Sequence, residues 1–215
     1  MSRMFNILVL YPEHLNLNGD VANAGILARR MNWYGLSAAI DFHHPGEPLP
    51  MHIPDFILIG HGSEAAWNAI REDLNSNWST IRGWIAAGAF GLAVNSGQEL
   101  LHELEYSVFP PGLNQGERVS KFVVAEADVI EPGQRALGYQ NSEFDAPLIE
   151  RFQNIVGTQL HGPILAKNGW LADWFISKIS GEAQLKPTQS AQAHTALVAE
   201  LEAGIWKLEE QLANE

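Results

Sequence analysis

Short apolar runs closed by turn residues set the rhythm of the first half of the chain. Met4–Leu10 (MFNILVL) is one, stopped by Tyr11-Pro12, and it reads as a buried strand. Ala24, Leu27, Ala28 and Met31 then share one helical face, with Asp20 placed to cap that helix and Gly35 to end it. Ser37–Phe42 is a second strand and Asp55–Ile59 a third. The third runs into Gly60-His61-Gly62, and a helix is expected from about Ser63. Ile81–Ala87 falls in a further helix closed by Gly88. Phe90–Val94 is a fourth strand, which Asn95-Ser96-Gly97 turns into a helix from about Gln98 to Leu104. Strand and helix in alternation predict an α/β fold, a mostly parallel sheet flanked by helices. Apolar strands with glycine at their ends suit burial on both faces.

The second half is richer in strands. Lys121–Ile130 and Ala136–Tyr139 are expected to pair antiparallel. Ile155–Leu160 is another strand, ending at His161-Gly162-Pro163, and a helix follows over about Gly169–Ile179. Residues 181–190 are polar with Gly181 and Pro187, and read as a linker. Over 191–215, Leu197, Leu201, Ile205, Leu208 and Leu212 recur at helical spacing, which predicts a C-terminal amphipathic helix. The organisation is therefore one domain over 1–180, a linker, and a terminal helix whose apolar stripe packs on the domain, on a second copy as a homo-oligomer, or on another subunit.

Composition narrows the function. A net charge of −12 argues against nucleic acid as a partner, because phosphate contact needs clustered Lys and Arg. No apolar run approaches membrane-helix length and no signal peptide is seen, so the location expected is cytoplasmic, with no membrane partner. With no cysteine, disulfides, thiolate metal sites and a cysteine nucleophile are all excluded. His43, His44, His52 and His61 lack metal-ligand spacing, so no metal is expected and His43-His44 reads as a surface loop. No Gly-x-Gly-x-x-Gly follows the first strand, so no dinucleotide is expected, nor any other cofactor. Trp33, Trp84, Trp170 and Trp174 are expected in the core.

Sites in open α/β sheets form at the carboxyl ends of the strands. Three loops fall there: Gly60-His61-Gly62, Asn95-Ser96-Gly97 and Leu160-His161-Gly162-Pro163. The middle one is a strand-turn-helix elbow, which can present one side chain beside helix N-terminal N–H groups. Together with the stretches from Leu10 to Asp20, at Trp33-Tyr34-Gly35, and from Gly157 to Asn168, these motifs resemble the class I glutamine amidotransferases. Within them the similarity is to the cobyric-acid-synthase-like group, and specifically to the glutamine amidotransferase subunit of lipid II isoglutaminyl synthase. The match spans about Phe5 to Ile179.

The resemblance implies a flavodoxin-like fold and a set of roles. In the family a Cys at the elbow attacks the glutamine amide carbon, and a His in the Leu-His-Gly segment serves as base and then acid. His161 matches that histidine. Asn95 stands at the cysteine position, and a carboxamide is no nucleophile because its nitrogen lone pair is delocalised. Asn does tolerate left-handed backbone, so the turn survives without the chemistry. Gly60, Gly62, Ser96 and Gly97 are the candidate substrate-binding positions, with Ser63 capping the helix after the first loop and Ser96 capping the helix after the elbow. The family's segment with His and Arg survives only as Tyr139–Phe144, without either.

The resemblance therefore implies a protein inactive as a glutaminase: a binding or scaffolding subunit for a Mur-ligase-like synthetase, with a glutamine-like small molecule as a possible ligand. Two alternatives stand beside it. One is a working glutaminase in which Asn replaces Cys as a trap. The other is hydrolase chemistry reassigned to Ser96 with His161.

Overall fold

The computed structural model describes residues 3–103, 115–144, 146–181 and 194–204. Its frame is a six-stranded sheet in the order β2-β1-β3-β4-β8-β7. These strands are β1 (Met4–Leu10), β2 (Ser37–His43), β3 (Phe56–Ile59), β4 (Phe90–Val94), β7 (Ile149–Phe152) and β8 (Ile155–Thr158). All neighbours pair in parallel except β7 with β8, a tight antiparallel pair at one edge. The mostly parallel α/β sheet expected from the alternating pattern is present.

Side-chain alternation along each strand splits the core in two. Ile7, Val9, Phe56, Leu58, Leu92 and Val94 face the helices α1 (Ala22–Trp33) and α5 (Gly169–Ser180). Leu8, Leu10, Ile57, Ile59 and Ala93 face α2 (Glu64–Ala86) and Leu101 of α3 (Ser96–Glu103). On α2 the residues Ile70, Leu74, Trp78, Ile81 and Ile85 form one continuous buried stripe. That stripe makes one helix of the two expected from about Ser63 and over Ile81–Ala87, continuous through the polar stretch Asn75-Ser76-Asn77. At roughly 2 kcal/mol for each large side chain removed from water, it outweighs the poor helix propensity of that stretch.

A second, antiparallel sheet has the order β5-β6-β9: β5 (Gln115–Glu126), β6 (Arg135–Phe144) and β9 (Leu160–His161). The antiparallel pairing expected between 121–130 and 136–139 is found here, except that β5 ends at Glu126 and residues 128–130 turn toward β6. The single strand expected over Ile155–Leu160 is two. Thr158 Oγ1 accepts the N–H of Leu160 at 3.1 Å and bends the chain, so that β8 serves one sheet and β9 the other. A short helix, α4 (Ile164–Lys167), then leads into α5.

Several local expectations are corrected. Asp20 does not cap α1: Val21 stands at the N-cap with no side-chain bond, and Asp20 turns inward. Gly35, at φ 76°, does end that helix. Trp33 is 62% exposed, although Trp84 and Trp174 are core. His43 is buried in β2 and bonded to Asp73, rather than lying in a surface loop. Most of the linker and the terminal helix beyond 204 fall outside the described residues. The helical residues 194–204 pack on their own chain: Val198 is buried, and His194 reaches the carbonyl oxygens of Lys167 and Arg135 at 2.8 and 3.0 Å. Among the described residues no helix is long and apolar enough to cross a membrane.

Candidate active site

The register of the sheet assembles the site. Val94 pairs with Thr158, so the elbow after β4 and the segment leading to His161 leave the sheet side by side. Asn95 sits at the tip of the elbow with φ 48°, a left-handed conformation that Asn accepts more readily than most residues. Its N–H donates to Thr158 O at 2.7 Å, and its carbonyl receives Glu99 N–H at 3.0 Å to open α3. The side chain is 4% exposed, and its Nδ2 donates to Gln159 Oε1 at 2.9 Å.

Ser96 begins α3, but its hydroxyl does not cap that helix. It faces the β3–α2 loop, where Gly62 N–H and Trp67 Nε1–H donate to Oγ at 3.0 and 2.8 Å. Both lone pairs are thereby used, which leaves its own proton for His61 Nδ1 at 2.8 Å, with Gly62 O farther away at 3.2 Å. The serine of the elbow is thus paired with His61, not with His161. The loop's other N–H group, that of His61, donates to Asp20 Oδ2 at 2.9 Å. The two amides of this loop, those of His61 and Gly62, are therefore already bonded within the chain. Ser63 does cap α2, accepting Ala66 N–H at 3.2 Å.

The glycines of this region are dictated by close approach. A Cβ on Gly60 would lie 2.0 Å from Leu15 O, and one on Gly97 would lie 2.7 Å from Ile59 O. On Gly62 it would meet His14 O at 2.8 Å. The loop after β1 is pressed onto Gly60 and Gly62, and the end of β3 onto Gly97, so that only hydrogen fits between them.

His161, on β9, stacks edge-on against His61 with ring centroids 5.0 Å apart. Its Nε2 lies 3.1 Å from the carbonyl oxygen of Asn141, which can only accept, so Nε2 carries the proton. Its Nδ1 lies 2.7 Å from Asn18 Nδ2, and with Nε2–H protonated and the ring neutral it accepts from that amide. Burial holds the imidazole below its ordinary range, with the Lys167 ammonium adding to the effect and the Asn141 bond opposing it. Burial, and then the neighbouring His161, push His61 down to about 4. Both rings are neutral near pH 7. Asp20, desolvated and bonded by one N–H, is pushed up to about 6.

Beside the elbow opens a cavity of about 790 Å3, walled by Asn95, Ser96, His61, Trp67, Leu74 and Leu100 among others. His161 does not line it. Sequence reasoning brought Asn95, Ser96, Gly62 and His161 to this region. It passed over Asn18, Trp67, Gln98, Glu150 and Gln159, and saw His61 only as part of a loop. Asn18 and Gln159 lay within the Leu10–Asp20 and Gly157–Asn168 motifs and Gln98 directly after the elbow; Trp67 and Glu150 carried no signal, because their roles exist only where separate elements meet. The four early histidines disperse onto Asp73, Glu13, Asp41 and Ser96, and among the described residues no metal-binding group forms.

No family model matches the chain. The GatD subunit of lipid II isoglutaminyl synthase (glutamine-hydrolyzing) from Staphylococcus aureus (strain N315) is 23% identical over 197 residues, 77% of this chain and 80% of that protein. Among solved structures, PurLQS from Thermotoga maritima matches with a TM-score of 0.55 at 13% identity, over 86% of this chain and 100% of that one. A glutamine amidotransferase from the same organism matches with a TM-score of 0.51 at 17% identity, over 85% and 87%. The two structures show that this chain shares the fold of glutamine amidotransferases, and the curated relative shows that its sequence is similar to that of GatD.

Proposed function

We propose that this chain is a non-catalytic subunit of the amidotransferase fold. In this reading it binds or scaffolds a Mur-ligase-like synthetase in the cytoplasm, in the chemistry of peptidoglycan amidation. The observation that carries the reading is the state of Asn95. It stands where the family places its sulfur nucleophile, and its Nδ2 is tied into Gln159 at 2.9 Å, a bond that a thiol would not reproduce.

Two further features support it. The general-base candidate, His161, has both ring nitrogens committed, to Asn141 O and to Asn18. The loop amides of His61 and Gly62 are spent on Asp20 and Ser96, so no pair of free donors waits there for an oxyanion. Acyl transfer needs a nucleophile, a base and an oxyanion site together, and each of these three positions is filled by an internal bond.

The test is a glutamine hydrolysis assay on the full chain, alone and with the partner added. No ammonia above buffer is expected. Ammonia release that disappears in His161→Ala would overturn the reading in favour of a working enzyme. Ammonia or ester hydrolysis that disappears in Ser96→Ala would favour reassigned serine chemistry, with His61 as the base that the geometry offers. Capture of a Mur-ligase-like synthetase that persists in His161→Ala is the expected sign of scaffolding.

A further inference from the structure

The edges of the two sheets are not protected alike. A sheet edge exposes backbone N–H and C=O groups that can pair with another chain, and proteins blunt it with short strands, charges or bulges. At one edge of the larger sheet, β7 is four residues long and carries Glu150 and Arg151. In the smaller sheet, β5 carries Glu117, Arg118, Lys121 and Glu126 and has a break in register, and β9 has two residues. β2, at the other edge of the larger sheet, has none of these devices. It runs seven residues in unbroken register with β1, and Asp41 is its one carboxylate.

The direction of its backbone groups follows from one bond. Tyr11 N–H reaches His43 O at 2.8 Å, so His43 faces β1. Directions alternate along a strand, so Ser37, Ala39 and Asp41 face β1 as well. Ala38, Ile40 and Phe42 turn their N–H and C=O outward, where no strand pairs with them among the described residues. Antiparallel pairing with a second β2 has one register that uses every outward group: Ile40 on Ile40, with Ala38 and Phe42 exchanging bonds at either end. Three N–H donors from each copy then make six bonds in all. The same register sets Phe42, 49% exposed, beside the partner's small Ala38. It sets Asp41 beside the partner's Ala39, so that no like charges stand directly opposed.

The helix above this edge fits the same two-fold. α1 packs on β2, and its inner side is fixed by two partners. Asn23 Oδ1 receives Leu165 N–H of α4 at 3.0 Å, and Arg30 Nε donates to Asp173 of α5 at 2.9 Å. Gly25 follows Asn23 by two positions, which turns it to nearly the opposite side of the helix, away from α4 and α5 and out over the sheet edge. Glycine weakens a helix interior. Nothing in this chain's own packing requires it here: φ is not positive, and an added Cβ would meet no atom within 4 Å. The missing side chain lets a second α1 approach closely across the axis.

We propose that two copies of this chain associate through their β2 edges, antiparallel about Ile40, with their α1 helices meeting at Gly25. A strand edge alone falls short of the roughly 1,200 Å2 that specific complexes bury, so both layers must meet for the dimer to hold. The proposal goes beyond the non-catalytic reading and does not depend on it.

Sedimentation of the full chain over a range of concentrations tests it, with backbone amide hydrogen exchange followed on the same samples. The mass is expected to rise from 23.7 kDa toward twice that value as concentration increases. Exchange at Ala38, Ile40 and Phe42 should slow with the rise, while Ala39, Asp41 and His43, already bonded to β1, stay unchanged. Ala38→Pro removes an outward N–H, which an edge strand tolerates, and should raise the dissociation constant about tenfold or more. Gly25→Gln favours the helix but fills the gap between the two copies, and should weaken the dimer as much. It decides the matter if Ala38→Pro does not fold. A mass of 23.7 kDa at every concentration overturns the proposal and leaves the edge for a different chain. So does a dimer that either folded variant leaves at full strength, or one whose formation leaves Ala38, Ile40 and Phe42 exchanging as before.

Discussion

Asp20 holds the backbone N–H of His61 at 2.9 Å through Oδ2, while its other oxygen is buried without a hydrogen-bond partner among the described residues. The two residues respond to pH in opposite senses. Asp20 titrates at about 6 in the fold, above its ordinary 3.8, so between those values the native state holds the extra proton and stability falls as pH rises. His61 titrates at about 4, below its ordinary 6.5, so over that window the unfolded state holds the extra proton and stability rises with pH. Each shift of about two units corresponds to roughly 3 kcal/mol, and the two contributions largely cancel between pH 4 and 6. Asp20→Asn removes only the first. Urea unfolding at pH 4, 5 and 6 should show the variant gaining stability over the wild type as pH rises, by on the order of 2 kcal/mol across the range. Parallel profiles for the two proteins would mean that Asp20 is ionised throughout.

Asp73, on α2, ties the ends of the first two strands to the helix that covers them. It accepts from Tyr11 OH at 2.8 Å, His43 Nε2 at 3.1 Å, Gly46 N at 2.8 Å and Asn77 Nδ2 at 3.0 Å. Burial raises its pKa, but these four donors outweigh burial and hold it below the ordinary 3.8. A carboxyl lowered in the fold stabilises above its unfolded pKa and loses that contribution as pH falls through the folded value. Asp73→Ala also strands the buried Tyr11 hydroxyl and the His43 ring. A loss of about 3 kcal/mol at pH 7 is expected, shrinking below pH 4. Thermal unfolding at the two pH values measures it, and a loss that is equal at both would remove the carboxylate's charge from the account.

How much of this was legible beforehand divides along physical lines. The strands β1 to β4 were readable because a buried parallel strand needs little more than an apolar run and a stop. Asn95 was readable at the elbow because its left-handed φ matches a known tolerance of its residue type. Helix α2 was read as two, from about Ser63 and over Ile81–Ala87, and only its packing against Leu8, Leu10 and Ile57 reveals one buried stripe along its whole length. The break between β8 and β9 depends on one side-chain bond from Thr158. The partners of Asp20, Ser96 and Glu150 come from elements 41, 35 and 52 positions away in the chain, and no pattern along the sequence encodes those meetings.

The glycines separate into those that space requires and those that it does not. Gly60→Ala would drive a methyl group to 2.0 Å from a backbone oxygen, so the β1–α1 loop must move away from the elbow. Gly25 lies inside α1 with open space around its Cβ position, and Gly83 lies likewise inside α2. Gly25→Ala and Gly83→Ala should each stabilise the fold by about 0.5–1 kcal/mol through helix propensity and the unfolded state. Gly60→Ala should cost more than both gains together. Chemical denaturation of the three variants gives the comparison, and a neutral Gly60→Ala would mean that the Leu15 contact yields easily.

Ser96 offers the sharpest probe of how the loop amides are spent. Its oxygen is the acceptor for Gly62 N–H and for the Trp67 indole, and the donor to His61. Ser96→Ala removes that oxygen and leaves two N–H groups and one imidazole nitrogen facing the space it filled. A destabilisation of about 1–3 kcal/mol is expected, the cost of unmet polar groups in a partly buried place. Water can recover part of this, because the cavity of about 790 Å3 adjoins the site. The Trp67 indole proton should move in the NMR spectrum and its solvent exchange should quicken, while residues on the α1 and α5 face keep their shifts. Were the indole signal to stay in place, Trp67 would not be donating to Ser96, and the β3–α2 loop would be held without it, through Asp20 and the Leu17 N–H on His61 O.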